Sequence, residues 1–111
     1  MTGSGGCLFC AVAEERAEAS IVWSDDKLVA FLDIRPLFKG HVLLIPREHV
    51  VTLPELRDDL RDPFLAATQR LAQAMVDGLG AQGSFVAINN SVSQSVPHLH
   101  CHVVPRTQGD G

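Results

Sequence analysis

Apolar residues occur in short runs that are separated by turn-forming residues along most of this 111-residue chain. These runs have the length and composition of strands, and they predict five of them, at 21–23, 28–32, 41–46, 84–90 and 97–105. Residues 24–27 form the turn between the first two strands, and Gly40 opens the third.

A helical period replaces this pattern between the third and fourth strands. Asp62 as N-cap and Pro63 as first residue predict the start of a long helix, and Gly80 predicts its end after Leu79. One side of the helix is apolar and is expected to pack in the core: Phe64, Thr68, Leu71, Met75 and Leu79. Two shorter elements are also predicted, a helix at 10–19 and a capping-box turn at 52–55. Strands in close succession with one main helix predict an α+β domain whose antiparallel sheet is covered on one face.

The ends of the chain differ in composition from the middle. Residues 1–6 are rich in Gly and Ser and, like 107–111, are predicted to be flexible tails around one domain at 7–106. No apolar run reaches the length of a membrane span, and no secretory signal is recognisable, so we expect a cytoplasmic protein that does not bind membranes. The net charge of −4 argues against nucleic acid as the main partner, whereas a mononucleotide needs only a local site.

Three of the five histidines lie close together, as His98, His100 and His102. Leu99, Cys101 and Val103 alternate with them, so all three rings are expected on one face of a strand, with neighbours roughly 6–7 Å apart. Such a row can bind a metal, hold an anion, or place a nucleophile beside a proton donor. Cys101 faces the other way and is expected to be a core thiol.

The other two cysteines form a Cys-x-x-Cys pair, Cys7 and Cys10. In a chain without secretory features this spacing indicates a metal or redox site before a structural disulfide. The alternative is a pair of reduced, partly buried thiols.

Four segments resemble the histidine-triad (HIT) family in sequence and order. They are Cys7-Leu8-Phe9-Cys10, Phe31-Leu32-Asp33-Ile34-Arg35-Pro36, the run from Gly40 to His49, and the run from Gln94 to Arg106 with its His-Leu-His-Cys-His core. The resemblance spans nearly the whole chain, and it implies the HIT-like form of the fold expected above.

The resemblance implies a catalytic role for three residues. His100 would be the nucleophile that accepts a nucleotidyl group, with its other ring nitrogen held by a backbone carbonyl. His102 would donate a hydrogen bond to the phosphate or the leaving group, and Ser95 would also contact them. Ser95 has an alternative interpretation as a loop hydroxyl that caps local backbone.

The resemblance also implies a nucleotide-binding set. Asp33 corresponds to the acid that accepts hydrogen bonds from the ribose hydroxyls, although it could instead be a turn former at a strand end. The other members would line the base pocket or border the phosphate: Phe9, Phe31, Leu32, Ile34, Asn89 and Gln94. The apolar members could equally be ordinary core. His41 matches a family histidine to which we assign no role from sequence.

The resemblance implies, in addition, a structural zinc site. Cys7, Cys10, His49 and His98 match positions that hold zinc in some bacterial relatives. Two thiolates and two imidazoles form a tetrahedral donor set that zinc favours.

The implied function is hydrolysis or transfer at the α-phosphate of a purine nucleoside phosphoramidate or dinucleoside polyphosphate, such as an AMP ester or amidate. The product would be a nucleoside monophosphate. One alternative is a zinc-stabilised nucleotide-binding sensor or scaffold with little turnover, and another is a catalytic metal on the histidine row. We also expect a homodimer, because the family is largely dimeric and a five-strand sheet leaves edges uncovered. The helix from Pro63 to Leu79 and the strand from Ser84 to Ile88 are the candidate interface.

Overall fold

The structure, a computed structural model, describes residues 6–111. Of the predicted N-terminal tail at 1–6, only Gly6 is among the described residues. Within residues 6–111, three helical segments and five strands follow one another. They are α1 (Leu8–Ala13), β1 (Ile21–Ser24), β2 (Leu28–Leu32), β3 (Val42–Pro46), a 3₁₀ turn (Leu53–Glu55), α2 (Asp58–Leu79), β4 (Gly83–Ile88) and β5 (Cys101–Arg106). Among these residues, no helix combines the length and apolarity needed to cross a bilayer.

The strands form one sheet in the order β1-β2-β3-β5-β4, and every neighbouring pair is antiparallel. The predicted α+β, HIT-like fold is therefore confirmed. The register places Phe31 of β2 opposite Leu43 of β3, and Leu43 opposite His102 of β5. These three side chains form a row across the sheet, and this row lies on the face that carries the candidate site.

The core is divided between the two faces of the sheet. Long helix α2 packs Leu60, Phe64 and Met75 onto one face, together with the strand residues that alternate with the histidines: Leu99, Cys101 and Val103. Short helix α1 packs onto Phe31, Leu43 and Ile45 on the opposite face. The expectation that only one face is covered was therefore wrong, since the apolar residues of α1 cover part of the second.

Helix α2 begins at Asp58, one turn before the predicted start, and Pro63 lies inside it. The additional turn buries Leu60, which is 2% exposed. Complete burial of a leucine contributes roughly 1.5–3 kcal/mol, which offsets the backbone hydrogen bond that proline cannot make in the second turn. The predicted end is confirmed, because Gly80 adopts the left-handed conformation and caps the helix.

Two other boundaries differ from the prediction. Helix α1 ends at Ala13 because Glu15 takes a positive φ of 61° and the Arg16 N–H donates to the carbonyl of Ala11, a helix-terminating turn. Strand β5 starts at Cys101, since the N–H of His98 donates to Val96 and that of Leu99 donates to Val50 outside the sheet.

Gly40, just before His41, has a φ of +98°, and the C-terminal end of α2 packs directly against it. A Cβ atom at this position would collide with Cδ1 of Leu79. The end of the long helix and the loop between β2 and β3 therefore touch at a position that only glycine fits.

Gly40→Ala is expected to lower the free energy of unfolding by about 1–3 kcal/mol, since it adds both a steric overlap and backbone strain. Gly78→Ala is the matched control, because Gly78 lies in α2 and a Cβ atom there would meet no neighbouring atom within 4 Å. Ala at that helical site should be neutral or stabilise the protein by up to about 1 kcal/mol. Urea unfolding of both variants measures the difference, and equal values for the two would contradict the proposed contact.

Candidate functional site

A cleft with a volume of 390 Å³ lies on the α1 face of the sheet and crosses β2, β3 and β5. Its apolar part comes from α1, the ends of β2 and β3 and the loop before β5: Leu8, Phe9, Val12, Ala19, Phe31, Leu32, Ile34, Leu43 and Val96. Its polar part consists of Glu18, Asp33, Arg35, Ser95, His100 and His102. The structure thus brings together most of the residues that were predicted to bind nucleotide or act in catalysis.

His100 is held in one orientation and one tautomer. Its Nδ1–H donates a 2.8 Å hydrogen bond to the main-chain carbonyl of His98. The Phe9 ring packs edge-on against it, with centroids 5.1 Å apart and an interplanar angle of 83°. The proton on Nδ1 leaves a lone pair on Nε2, so the buried ring offers a nucleophilic nitrogen to the cleft.

His102 is connected to His41 and, through it, to the backbone. The N–H of Leu37 donates to Nδ1 of His41 over 3.1 Å, so a neutral His41 carries its proton on Nε2. That nitrogen is 3.0 Å from Nδ1 of His102. His102 Nδ1 is then the acceptor, and the remaining proton of His102 is on Nε2.

Burial lowers the pKa of both His41 and His102 below that of a free imidazole. For His102, the neighbouring imidazoles of His100 and His41 lower the pKa further. Both rings are therefore neutral near pH 7, which is the state that the hydrogen bonds require.

Asp33, His41 and His102 also place three possible metal-binding atoms within 4.8 Å of one another. The backbone hydrogen bond to Nδ1 of His41 disfavours a metal here, because it keeps the proton on Nε2, the nitrogen that would have to bind the ion. This geometry argues against a catalytic metal that uses His102.

Asp33 lies directly after β2, at the edge of the cleft. Its Oδ1 accepts a 2.9 Å hydrogen bond from the N–H of Arg35, and its Oδ2 is 3.6 Å from Nε2 of His41. It therefore serves as the turn former that one interpretation predicted, and it also presents a carboxylate to the cleft.

The three predicted residues around the loop before β5 have different surroundings. Ser95 is exposed and lines the cleft. Gln94 holds the loop, since it donates to the carbonyl of Val51 over 2.6 Å and accepts from the N–H of Ser91. Asn89 is exposed just after β4, and neither it nor Gln94 is among the residues that line the cleft.

A second cluster lies behind the cleft, where Cys7, Cys10, His49 and His98 place their donor atoms within 4.8 Å of one another. Nδ1 of His98 is 3.3 Å from Sγ of Cys7 and 3.4 Å from Sγ of Cys10, and Nδ1 of His49 is 3.1 Å from Sγ of Cys10. Zinc–sulfur and zinc–nitrogen bonds in a tetrahedral site imply separations of roughly 3.5 Å between such atoms. The four residues fit a tetrahedral ion with small adjustments.

The other ring nitrogen of His98 supports the same interpretation. Nε2–H donates a 2.8 Å hydrogen bond to the carbonyl of Pro46, which leaves the Nδ1 lone pair directed at the sulfurs. Burial and the neighbouring Cys7 raise the pKa of Cys10 to about 12. A cation in the cluster would be needed to hold both sulfurs as thiolates at neutral pH.

The sequence interpretation missed several residues of the cleft. Leu43 could have been found from the alternation within β3, since Val42 and Leu44 face α2. Arg35 and the part played by His41 had no such signal, because both depend on how the loop between β2 and β3 folds back.

A family model described as HIT domain matches residues 14–109. A Zn-bound histidine triad family protein from Mycobacterium smegmatis is 40% identical, with a TM-score of 0.90 over 97% of this chain and 80% of the other. An uncharacterised HIT-like protein of Methanocaldococcus jannaschii is 35% identical over 95% of this chain and 82% of its own length. Adenylylsulfatase HINT3 of Arabidopsis thaliana is 28% identical over 94% of this chain, which spans 54% of that protein.

The family match covers most of the chain, and the fold and the alternating histidines agree with it. The chain belongs to the HIT domain family.

Proposed function

We propose that the protein is a nucleotide hydrolase or transferase that attacks the α-phosphate of a purine nucleoside phosphoramidate or dinucleoside polyphosphate. The nucleotidyl group would pass to His100 and then to water, which releases a nucleoside monophosphate. The observation that carries this proposal is the hydrogen bond from Nδ1–H of His100 to the carbonyl of His98, because it leaves Nε2 free to attack.

The dimensions of the cleft support a mononucleotide. His102, Leu43 and Phe31 lie on three adjacent strands, so the row spans roughly 10 Å at about 4.8 Å per strand. A phosphate over β5 would place a base over β2. There Phe9 and Phe31 form an edge-to-face pair with centroids 5.3 Å apart, and Ile34, which is 85% exposed, completes an apolar wall. Asp33, between the two ends, is placed to accept from ribose hydroxyls.

His102 and Ser95 would act on the phosphate and the leaving group. The proton on Nε2 of His102 would be donated to the leaving atom as its bond to phosphorus breaks. The hydroxyl of Ser95 could donate to a phosphoryl oxygen from the loop before β5. Contacts of Asn89 and Gln94 with the nucleotide remain a prediction for the bound state.

The name of the Arabidopsis relative, adenylylsulfatase, supports chemistry at the α-phosphate of an adenylyl anhydride. The competing hypothesis is a zinc-stabilised nucleotide-binding sensor with little turnover. The presence of both His100 and His102, held in complementary tautomers, favours the enzyme.

His100→Gly is expected to reduce kcat for an adenosine phosphoramidate by about a thousandfold or more, because the covalent route is lost. AMP binding, measured by calorimetry, should survive. Wild-type protein quenched during turnover should show a mass increase of one adenylyl group on the peptide that contains His100. A variant that keeps more than about a tenth of the wild-type kcat would rule out this nucleophile, and wild-type binding without turnover would favour the sensor.

We further propose that Cys7, Cys10, His49 and His98 hold a structural zinc ion. The ion would contribute charge neutralisation and a cross-link between α1, the segment after β3 and the segment before β5. Two contacts within the chain connect the cluster to the cleft. Helix α1 places Phe9 against His100, and the carbonyl of His98 accepts a hydrogen bond from Nδ1–H of His100.

Freshly purified protein should contain about one zinc per chain by elemental analysis. Cys7→Ser should lose the zinc and lower the melting temperature, since the binding energy of a structural metal contributes to folding. Cys101→Ala is the control, because Cys101 is buried in the other core and should leave the zinc content unchanged. A zinc-free wild-type protein, or equal metal loss in the two variants, would refute the site.

We also propose that two copies pair through β4 and α2. In the part of the chain that the structure describes, strand β4 pairs only with β5, and its Phe85 and Val86 are 47% and 46% exposed on opposite faces. Helix α2 exposes Leu65 and Val76, which are 61% and 40% exposed. A strand edge with apolar residues on both faces is suited to pairing with a second copy.

Sedimentation equilibrium of the wild type at micromolar concentration should give the mass of a dimer. Val86→Lys should shift it toward the monomer, because a charge would be buried at the joined edge. Val22→Lys on β1 is the matched control, since Val22 is 47% exposed at the opposite edge of the sheet. A monomeric wild type, or dissociation by Val22→Lys alone, would show that β4 is not the interface.

A further inference from the structure

Arg35 is the sole Lys or Arg side chain among the residues that line the cleft, where the other charged residues are Glu18 and Asp33. Its guanidinium makes no ion pair or hydrogen bond with the residues that the structure describes. Four other arginines, by contrast, form ion pairs: Arg16, Arg57, Arg61 and Arg106. Arg47 is also engaged, since it donates to the carbonyls of Asp25 and Ala13. Arg70, which lies on α2 away from the cleft, also has no such partner among the described residues. Arg35 is therefore the one delocalised cation available at the mouth of the cleft.

The local backbone places Arg35 beside the residues that act on the substrate. Its own N–H donates to Oδ1 of Asp33, and two residues later the N–H of Leu37 donates to His41. His41 in turn contacts His102. The segment 33–37 thus runs along the His102 side of the cleft.

The charge of the leaving group distinguishes the substrates that this site could use. When Nε2 of His100 forms its bond to the α-phosphorus of an anhydride, the bond from phosphorus to the bridging oxygen breaks. The electron pair stays on a phosphate or sulfate oxygen, so negative charge grows outside the α-phosphate. When the bond to nitrogen of a phosphoramidate breaks, the nitrogen needs a proton, which His102 can supply, and the departing amine has no negative charge.

We propose that Arg35 is a specificity-determining residue that selects adenylyl substrates with an anionic leaving group, a phosphate chain or a sulfate, over phosphoramidates. The inference rests on the nucleotidyl-transfer function proposed above and specifies its substrate class. A guanidinium is suited to this role because it stays charged and presents several N–H donors to phosphate or sulfate oxygens. Stabilisation of charge that develops in the transition state raises kcat/KM.

The test compares kcat/KM for adenosine 5′-phosphosulfate, diadenosine triphosphate and adenosine 5′-phosphoramidate, which share the adenylyl part. Arg35→Gln should lower kcat/KM for the two anionic substrates at least about tenfold more than for the amidate. Arg35→Lys should restore part of the difference. Lys39→Gln is the matched control, because Lys39 is a cation of the same loop that does not line the cleft, and it should leave the ratio unchanged. Equal losses on all three substrates, or a similar change in ratio for Lys39→Gln, would overturn the proposal.

A binding measurement separates this proposal from the proposed function. Calorimetry should show that the wild type binds ADP about tenfold more tightly than AMP, and that Arg35→Gln removes most of this preference. An unchanged preference in Arg35→Gln would overturn the role of Arg35 whether or not the protein turns over substrate. A wild type that binds with the expected preference but hydrolyses none of the three substrates would contradict the proposed function and leave the assignment of Arg35 supported.

Discussion

His98 connects the two parts of this protein that carry chemistry. Its Nδ1 faces the sulfurs of Cys7 and Cys10, and its Nε2–H donates a hydrogen bond to the carbonyl of Pro46. Its own carbonyl accepts a hydrogen bond from Nδ1–H of His100. The position of His100, the proposed nucleophile, is therefore set by the backbone of a residue that belongs to the candidate metal cluster. Because His98 is completely buried, neither its ring nor its carbonyl can move without disturbing the other.

Phe9 is a second link between the same two regions. It lies between the two cysteines on α1, a helix of only six residues that would not be stable alone. Its ring contacts His98, His100 and Phe31, so it touches the cluster, the proposed nucleophile and the proposed base wall. The tertiary contacts of α1 thus determine the shape of the cleft as well as the stability of the helix.

Much of the architecture could be predicted from sequence because it depends on local periodicity. The alternation around the histidines predicts which side chains face α2, and Gly80 predicts where that helix ends. The first turn of α2 could not be predicted, because it is stabilised by the burial of Leu60 against residues that are distant in sequence. The end of α1 was also missed, since Glu15 adopts a conformation that is uncommon for a residue with a side chain.

The candidate site, too, could be predicted from sequence only in part. The resemblance, together with the donor chemistry of Cys7, Cys10, His49 and His98, indicated a cluster that the structure brings together. The tautomer of His102 was beyond sequence reasoning, because it depends on one backbone N–H, that of Leu37, which reaches His41 through a turn. Residue types can indicate which groups react, whereas proton positions follow from the backbone that surrounds them.

The contact between Gly40 and Leu79 has an evolutionary consequence. The φ of +98° at position 40 strains any residue with a side chain, whatever occupies position 79, so glycine should persist there among relatives. Position 79 is less constrained, because the overlap involves only the end of a flexible, half-exposed side chain. The exposed end of α2 can therefore drift in sequence, whereas the residue immediately before His41 stays fixed by its backbone conformation.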